Sequence, residues 1–159
     1  MSDANVEPVA EREVVVTRTF DAPARLVFEA FRNPEYLKRW FGPKGWPLTL
    51  CEVDFRVGGR FLFAMTGPDG TQGPSFGGEY LEVDPDRKIV YVIDTYDEPM
   101  TVTLTFDEGE GRTTLTYHTL FNSVAMKNRH VGAGFTEGVA SGLDQLADVV
   151  AELRTAPQP

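Results

Sequence analysis

From Glu13 to Phe20, Val14, Val16 and Phe20 share one parity and Thr17 and Thr19 the other, the pattern of a strand with one buried face. Arg18 falls on the apolar parity. Its aliphatic stem lets the guanidinium snorkel to a sheet edge, and that reading is preferred to an anion site in the core. The period then changes. Asp21-Ala-Pro23 reads as a helix start, with Asp21 or Ala22 at the N-cap and Pro23 in the first turn. Leu26, Val27, Ala30 and Phe31 keep helical spacing until Asn33-Pro34 interrupts it. A second short helix is expected over residues 35–41, turning Leu37, Trp40 and Phe41 to a core, and Gly42-Pro-Lys-Gly-Trp-Pro47 is a loop.

From Leu48 onward the period is two. Strands are expected over Leu48–Val53, Arg60–Met65, 76–83, 88–96, 100–106 and 113–120. Phe61, Phe63 and Met65 share a face, as do Val102, Leu104 and Phe106. In the last strand Leu115 and Tyr117 point inward and Thr114, Thr116 and His118 outward. Gly58-Gly59, Gly67-Pro-Asp-Gly70, Asp84-Pro-Asp-Arg87 and Gly109-Glu-Gly111 supply turn chemistry between them. Short strands at such spacing form an antiparallel meander. The polar stretch 122–129 reads as a flexible lid. One long helix is expected over 130–153, striped by Phe135, Val139, Gly142, Leu146, Val150 and Leu153. The order strand, two short helices, strands, long helix predicts an α+β fold in which a curved antiparallel sheet wraps the last helix.

Composition narrows the class. At 159 residues the chain has room for one comfortable domain, placed at 13–154 between a flexible N-terminus (1–12) and a tail (155–159). The net charge of −9 argues against nucleic acid and anionic membrane as partners. No apolar run approaches the roughly 20 residues of a spanning helix. The start, Met1-Ser-Asp-Ala-Asn-Val-Glu-Pro, lacks the pattern of a signal peptide. Cys51, the lone cysteine, excludes an internal disulfide and fits a reducing compartment, so a cytoplasmic location is expected. A large aromatic load stands out: 11 Phe, 5 Tyr and 2 Trp, beside 15 Gly.

Several chemistries find no support. His118 and His130 are the only histidines and Cys51 has no partner, so no metal is expected, and both histidines read as surface groups. Gly132-Ala-Gly-Phe-Thr-Glu-Gly138 is one residue too long for a dinucleotide fingerprint. Ser75, Ser123 and Ser141 lack a nucleophile elbow. No cofactor is expected and no catalytic residue is assigned. Asp94, Glu79, Glu82, Tyr96 and Tyr117 lie on strands where an inward phenol or carboxylate would have a shifted pKa. Asp94 and Tyr117 are the first candidates for acid–base work, although the solvent face is the preferred reading for the carboxylates.

The last helix carries a more informative pattern. Gly134, Gly138 and Gly142 recur every four residues, each costing about 1 kcal/mol relative to alanine in a helix interior. Close packing of helix on sheet is one explanation; space for a ligand is the other. The second places Phe61, Phe63, Met65, Phe76, Tyr91, Tyr117, Phe135, Gly138, Val139 and Gly142 along the space, with Trp40, Phe41 and Trp46 at its mouth. Met100 and Met126 would add adaptable surface near that mouth. Taken singly, each ring is better explained as core; it is collectively that they suggest a partly open pocket.

Trp40-Phe-Gly-Pro-Lys-Gly45, Asp54-Phe-Arg-Val-Gly-Gly-Arg60, Met65-Thr-Gly-Pro-Asp-Gly70 and Gly78-Glu-Tyr-Leu-Glu-Val-Asp-Pro85 occur in this order. Together with Asp21-Ala-Pro23, Val27-Phe28, Asn33-Pro34 and Gly142-Leu-Asp-Gln-Leu146, they resemble the SRPBCC (START/Bet v 1-like) superfamily, in the subgroup named for homology to the activator of Hsp90 ATPase. The resemblance covers about residues 13–153. Many members carry a Gly-Trp pair where this chain has Gly134-Phe135, which keeps the bulk and loses an indole donor. The resemblance implies the helix-grip fold. Superfamily members bind lipids, hormones or polyketides, some cyclise polyketides, and the eponymous domain assists a chaperone; fold does not select among these. The first expectation is a domain that binds a small hydrophobic or aromatic molecule. A module acting on an Hsp90-type chaperone is second, and a cyclase or dehydratase third. Monomer and homodimer both stay open.

Overall fold

The chain alternates between stretches of period two and stretches of helical period, and the backbone follows. In the computed structural model, residues 7–155 are described; the expectations for residues 1–6 and 156–159 lie outside them. The elements are β1 (Glu13–Phe20), α1 (Ala24–Arg32), α2 (Pro34–Trp40), β2 (Leu48–Val53), β3 (Arg60–Met65), β4 (Phe76–Asp84), β5 (Lys88–Ile93), β6 (Met100–Gly109), β7 (Arg112–Phe121), α3 (Val124–Gly132) and α4 (Phe135–Thr155). The strands form one antiparallel sheet in the order β1-β7-β6-β5-β4-β3-β2. Thus β1 and β2 are the two edges, and α1 and α2 connect them. The sheet is curved, and α4 packs against α2, α1 and β1. This is the expected helix-grip architecture.

Local chemistry sets the helix ends. Asn33 ends α1 with its backbone N–H on the Glu29 carbonyl, and its side chain accepts from the Glu35 N–H to cap α2, where Pro34 occupies the first turn. The N-cap of α1 is Pro23 rather than Asp21 or Ala22, and it has no side chain to accept a bond. Glu108 of β6 supplies the acceptor instead, 2.8 Å from the Ala24 N–H. A cap from so far along the chain leaves no local sequence signal. Residues 7–12, expected to be loose, include a short 3-10 turn at Val9–Glu11. The Arg12 guanidinium donates to the Phe121 carbonyl at 3.0 Å.

The single C-terminal helix of the expectation is two helices. Ser123 caps α3 by accepting from the Met126 N–H, and the stretch 122–129 is therefore mostly helix rather than a loop. Met126 is the one fully buried residue of α3, so the segment lacks an apolar stripe to betray it. Gly134 then takes φ +97°, a left-handed conformation that a side chain would strain. The chain turns there, and α4 begins one residue later.

In the sheet, β5 stops at Ile93 rather than Tyr96, and β6 and β7 run on to Gly109 and Phe121. The inward residues are those expected: Phe61, Phe63, Val102, Leu104, Phe106, Leu115 and Tyr117 are buried. Arg18 pairs with Asp144 of α4 at 2.6 Å, so its charge leaves the core along the edge strand. Under α1 and α2 the core is filled by aromatic rings in edge-on contact. Phe28 meets Phe55 and Phe106 at centroid distances of 5.7 and 5.5 Å, and Phe31 meets Trp40 at 4.7 Å. The Trp40 indole donates to the Ala30 carbonyl at 2.9 Å.

Candidate ligand-binding cavity

Where α3 turns into α4, the helices leave part of the sheet uncovered by side chains, and a cavity of about 250 Å³ results. Its floor is Tyr91 and Ile93 of β5, Met100 and Val102 of β6, and Tyr117 of β7. Met65 and Phe76 close one side, and Trp40, Phe41, Gly42 and Pro43 another. His130, Ala133 and Gly134 at the turn, and Phe135, Gly138, Val139 and Gly142 on α4, form the roof. Tyr96, just past β5, stands at the rim, 39% exposed, with its ring stacked 6.3 Å from Phe76 and meeting His130 at 5.3 Å.

Most residues singled out from the sequence meet here: Trp40, Phe41, Met65, Phe76, Tyr91, Tyr117, Phe135, Gly138, Val139 and Gly142. Trp46, Phe61 and Phe63 do not. The Trp46 indole covers Gly67, where a Cβ would lie 2.6 Å from the ring, so it holds the hairpin tip to the loop. Phe61 and Phe63 turn toward α2 and line a separate void of about 20 Å³ with Phe31, Leu37 and Tyr80. Parity puts them on the correct face, but the sheet is wide enough for that face to have two halves. Met100 is 2% exposed and belongs to the cavity floor, and Met126 is buried under α3; neither is adaptable surface. His130 is half-buried rather than a free surface group, with its ring among Tyr96, Phe121 and Phe135. His118 does face outward, with Nε2 2.6 Å from a Glu13 carboxylate oxygen.

The three recurring glycines do different things. Gly134 makes the turn. Gly142 is a close approach: a Cβ there would lie 3.3 Å from the Trp40 carbonyl oxygen, which Gln145 also holds, along with that of Gly42, through its side-chain amide. At Gly138 a Cβ would meet only the Pro43 ring, at 3.5 Å, so the missing side chain leaves open space. Close packing and open space are therefore both present, at different turns of one helix.

Polar groups inside are few. The phenol oxygens of Tyr91 and Tyr117 lie 3.3 Å apart and share a hydrogen bond. Burial raises the pKa of both, that of Tyr91 strongly, so each stays a neutral donor. Burial, then the neighbouring Arg129, lower the pKa of His130 against a weaker opposing pull from Asp97. Among the described residues no Lys, Arg, Asp or Glu lines the cavity. Asp94 is excluded as an internal acid or base because it sits outside, in a two-pronged ion pair with Arg60 at 2.8 and 3.1 Å. That pairing lowers its pKa. Burial pushes the Cys51 thiol up to about 11, away from the range of a reactive thiolate. Any proton transfer inside would fall to the phenols and His130.

The sequence profile of the family described as activator of Hsp90 ATPase homolog 1-like protein matches residues 21–151. Among solved structures, a crystal structure of a protein from Nitrosomonas europaea is 27% identical, with a TM-score of 0.85, over 92% of this chain and 99% of that one. A solution structure of a protein from Arthrobacter aurescens is 25% identical at TM-score 0.85, covering 92% and 90%. A crystal structure of a protein from Mycobacterium smegmatis is 26% identical at TM-score 0.79, covering 92% and 96%. No curated protein sequence matches. Among the described residues, no helix is long and apolar enough to cross a membrane. The chain belongs to the activator of Hsp90 ATPase homolog 1-like family.

Proposed function

We propose that this member of the family binds a small, largely apolar molecule between α4 and the sheet. The observation that carries the proposal is the cavity of about 250 Å³, walled by aromatic and aliphatic side chains and kept open at Gly138, where alanine would serve the helix better. Well-packed interiors leave few voids larger than a water, and the other half of this core follows that rule with a void of about 20 Å³. The difference between the halves supports reading the open one as a site. Its composition, apolar walls with a few convergent hydroxyls, is that of a binding pocket. The wider resemblance to START and Bet v 1-like proteins, among which are binders of lipids, hormones and polyketides, supports the reading.

N-phenyl-naphthylamine, a neutral dye that brightens in apolar surroundings, tests it. The expected result is saturable binding at one molecule per chain, with energy transfer from Trp40 in the wall, abolished by Gly138→Leu in a variant that remains folded. Saturable binding that Gly138→Leu leaves intact would place the dye elsewhere and refute the assignment.

A further inference from the structure

Granting that the cavity holds an apolar molecule, its polar groups restrict which one. We propose that the Tyr91–Tyr117 pair is the anchor of the site and selects ligands whose polar group is a neutral acceptor oxygen, such as a ketone, ester or amide carbonyl, over carboxylates of the same shape.

The sheet register builds the pair. Tyr91 of β5 is opposite Val102 of β6, which is opposite Thr119 of β7. Tyr117, two residues before Thr119, is opposite Leu104. The two tyrosines therefore stand on the strands flanking β6, one register step apart, and their side chains meet across it with oxygens 3.3 Å apart. Two phenols carry two O–H protons, and their mutual bond uses one. Neither oxygen has another hydrogen-bond partner among the described residues, so one O–H stays available. A hydroxyl that also accepts a bond is a stronger donor, because the two bonds polarise each other. The capacity offered to a ligand is this one phenol O–H, since Thr119, in the same row as Tyr91 and with a buried hydroxyl that has no partner among the described residues, does not line the cavity.

Charge decides between acceptor classes. A carboxylate brought inside loses its hydration and meets no cation: among the described residues no Lys or Arg lines the cavity. His130 resists protonation there, and the chain already carries a net charge of −9. An unpaired buried charge costs far more than a buried neutral polar group, and a carbonyl that accepts one good bond recovers most of its loss.

Prodan, a neutral naphthyl ketone whose emission reddens when its carbonyl accepts a hydrogen bond, is compared with two relatives. One is the congener with an alkyl chain in place of the ketone; the other is the naphthoate with a carboxylate there. The wild-type protein should bind the ketone at least about a hundredfold more tightly than the carboxylate. The variant Tyr91→Phe/Tyr117→Phe removes both hydroxyls together and so leaves no unpaired partner behind. It should lose about three- to tenfold of the ketone affinity, shift the bound emission to the blue, and bind the alkyl congener as the wild type does. Undiminished ketone binding with unshifted emission in the double variant, or a carboxylate bound as tightly as the ketone, would overturn the anchor while leaving the cavity reading intact. If none of the three probes bound the wild type, both would fall.

Discussion

Gly138 and Gly142 lie one turn apart on the same face of α4, and replacing each by alanine separates packing from propensity. Alanine gains about 0.5–1 kcal/mol over glycine inside a helix at either position. At Gly138 the new methyl meets only the Pro43 ring, at 3.5 Å, an ordinary contact, so the gain should survive nearly whole. A domain of this size then melts roughly 2–4 °C higher per kcal/mol. At Gly142 the methyl lies 3.3 Å from the Trp40 carbonyl oxygen and 3.5 Å from the backbone of Gly42. Those carbonyls are pinned by the Gln145 amide at 3.1 and 2.8 Å and cannot easily yield. The gain should therefore be cancelled or reversed. Thermal and urea unfolding of the two variants should show Gly138→Ala above the wild type and Gly142→Ala at or below it. N-phenyl-naphthylamine affinity should fall in Gly138→Ala, because the methyl takes part of the space. A glycine that raises stability when replaced, yet lowers binding, is retained for the cavity. Destabilisation by Gly138→Ala, or stabilisation without any loss of binding, would refute this account.

Three further perturbations probe the frame around the site. Glu108→Ala removes the acceptor that caps α1 from β6 and should cost about 1 kcal/mol in urea unfolding, whereas Glu108→Gln, which keeps a carbonyl oxygen, should cost less; equal stability of the alanine variant would show that the cap contributes nothing. Gly78→Ala puts a Cβ 1.6 Å from the Val92 carbonyl oxygen in the middle of the sheet, and soluble, cooperatively folded protein from this variant would contradict the close approach of β4 and β5. The third concerns pH. Because burial and Arg129 lower the pKa of His130 from 6.5, despite Asp97 and with the neutral Tyr96 ring against it, the unfolded chain takes up this proton at a higher pH than the folded one. Its contribution to stability is therefore complete above about pH 6.5 and is lost as the pH falls through the folded value. The difference in unfolding stability between wild type and His130→Phe should change across that range, and a flat difference would remove His130 as the cause.

How much of this was legible in the sequence depends on the range of the interactions involved. The strands were readable because each reports its own burial through alternation, and the inward faces of β3, β6 and β7 were assigned from parity alone. What parity cannot give is position along a face: Phe61 and Phe63 belong to the packed half, Met65 to the open half, Tyr91 stands between the two, and only the register across strands distinguishes them. The break between α3 and α4 was hidden because Gly134 fits a helical spacing as well as a turn, and because α3 buries only Met126. The partial burial of His130 leaves no local signal for a related reason: its neighbours Tyr96 and Phe121 come from other elements. Asp94 pairs with Arg60 across two strand ends, and no local pattern announces such a contact.

The division of the core into two unequal halves has an energetic consequence. Were it enclosed and dry, an apolar space of about 250 Å³ would cost on the order of 6 kcal/mol by the cavity term measured for core truncations; the opening at Tyr96 makes the actual cost smaller. The aromatic packing under α1 and α2 forms a cluster of its own, in which Phe28 meets Phe55 and Phe106 and Phe31 meets Phe106 and Trp40. Three rings join the halves: Trp40 closes the packed cluster and forms part of the cavity wall, and Phe41 and Tyr91 line both the cavity and the small void. Filling the cavity should therefore act on stability mainly through α3, Gly134 and the first turns of α4, which roof the space and have few other partners. A bound apolar molecule stabilises the whole chain by mass action, but its local effect should be uneven. Amide exchange should slow most at the α3–α4 turn and least in β6 and β7, whose amides are already paired across the middle of the sheet. Slowing spread evenly over the sheet would mean that the two halves are one cooperative unit, and that the open one is core left imperfectly packed.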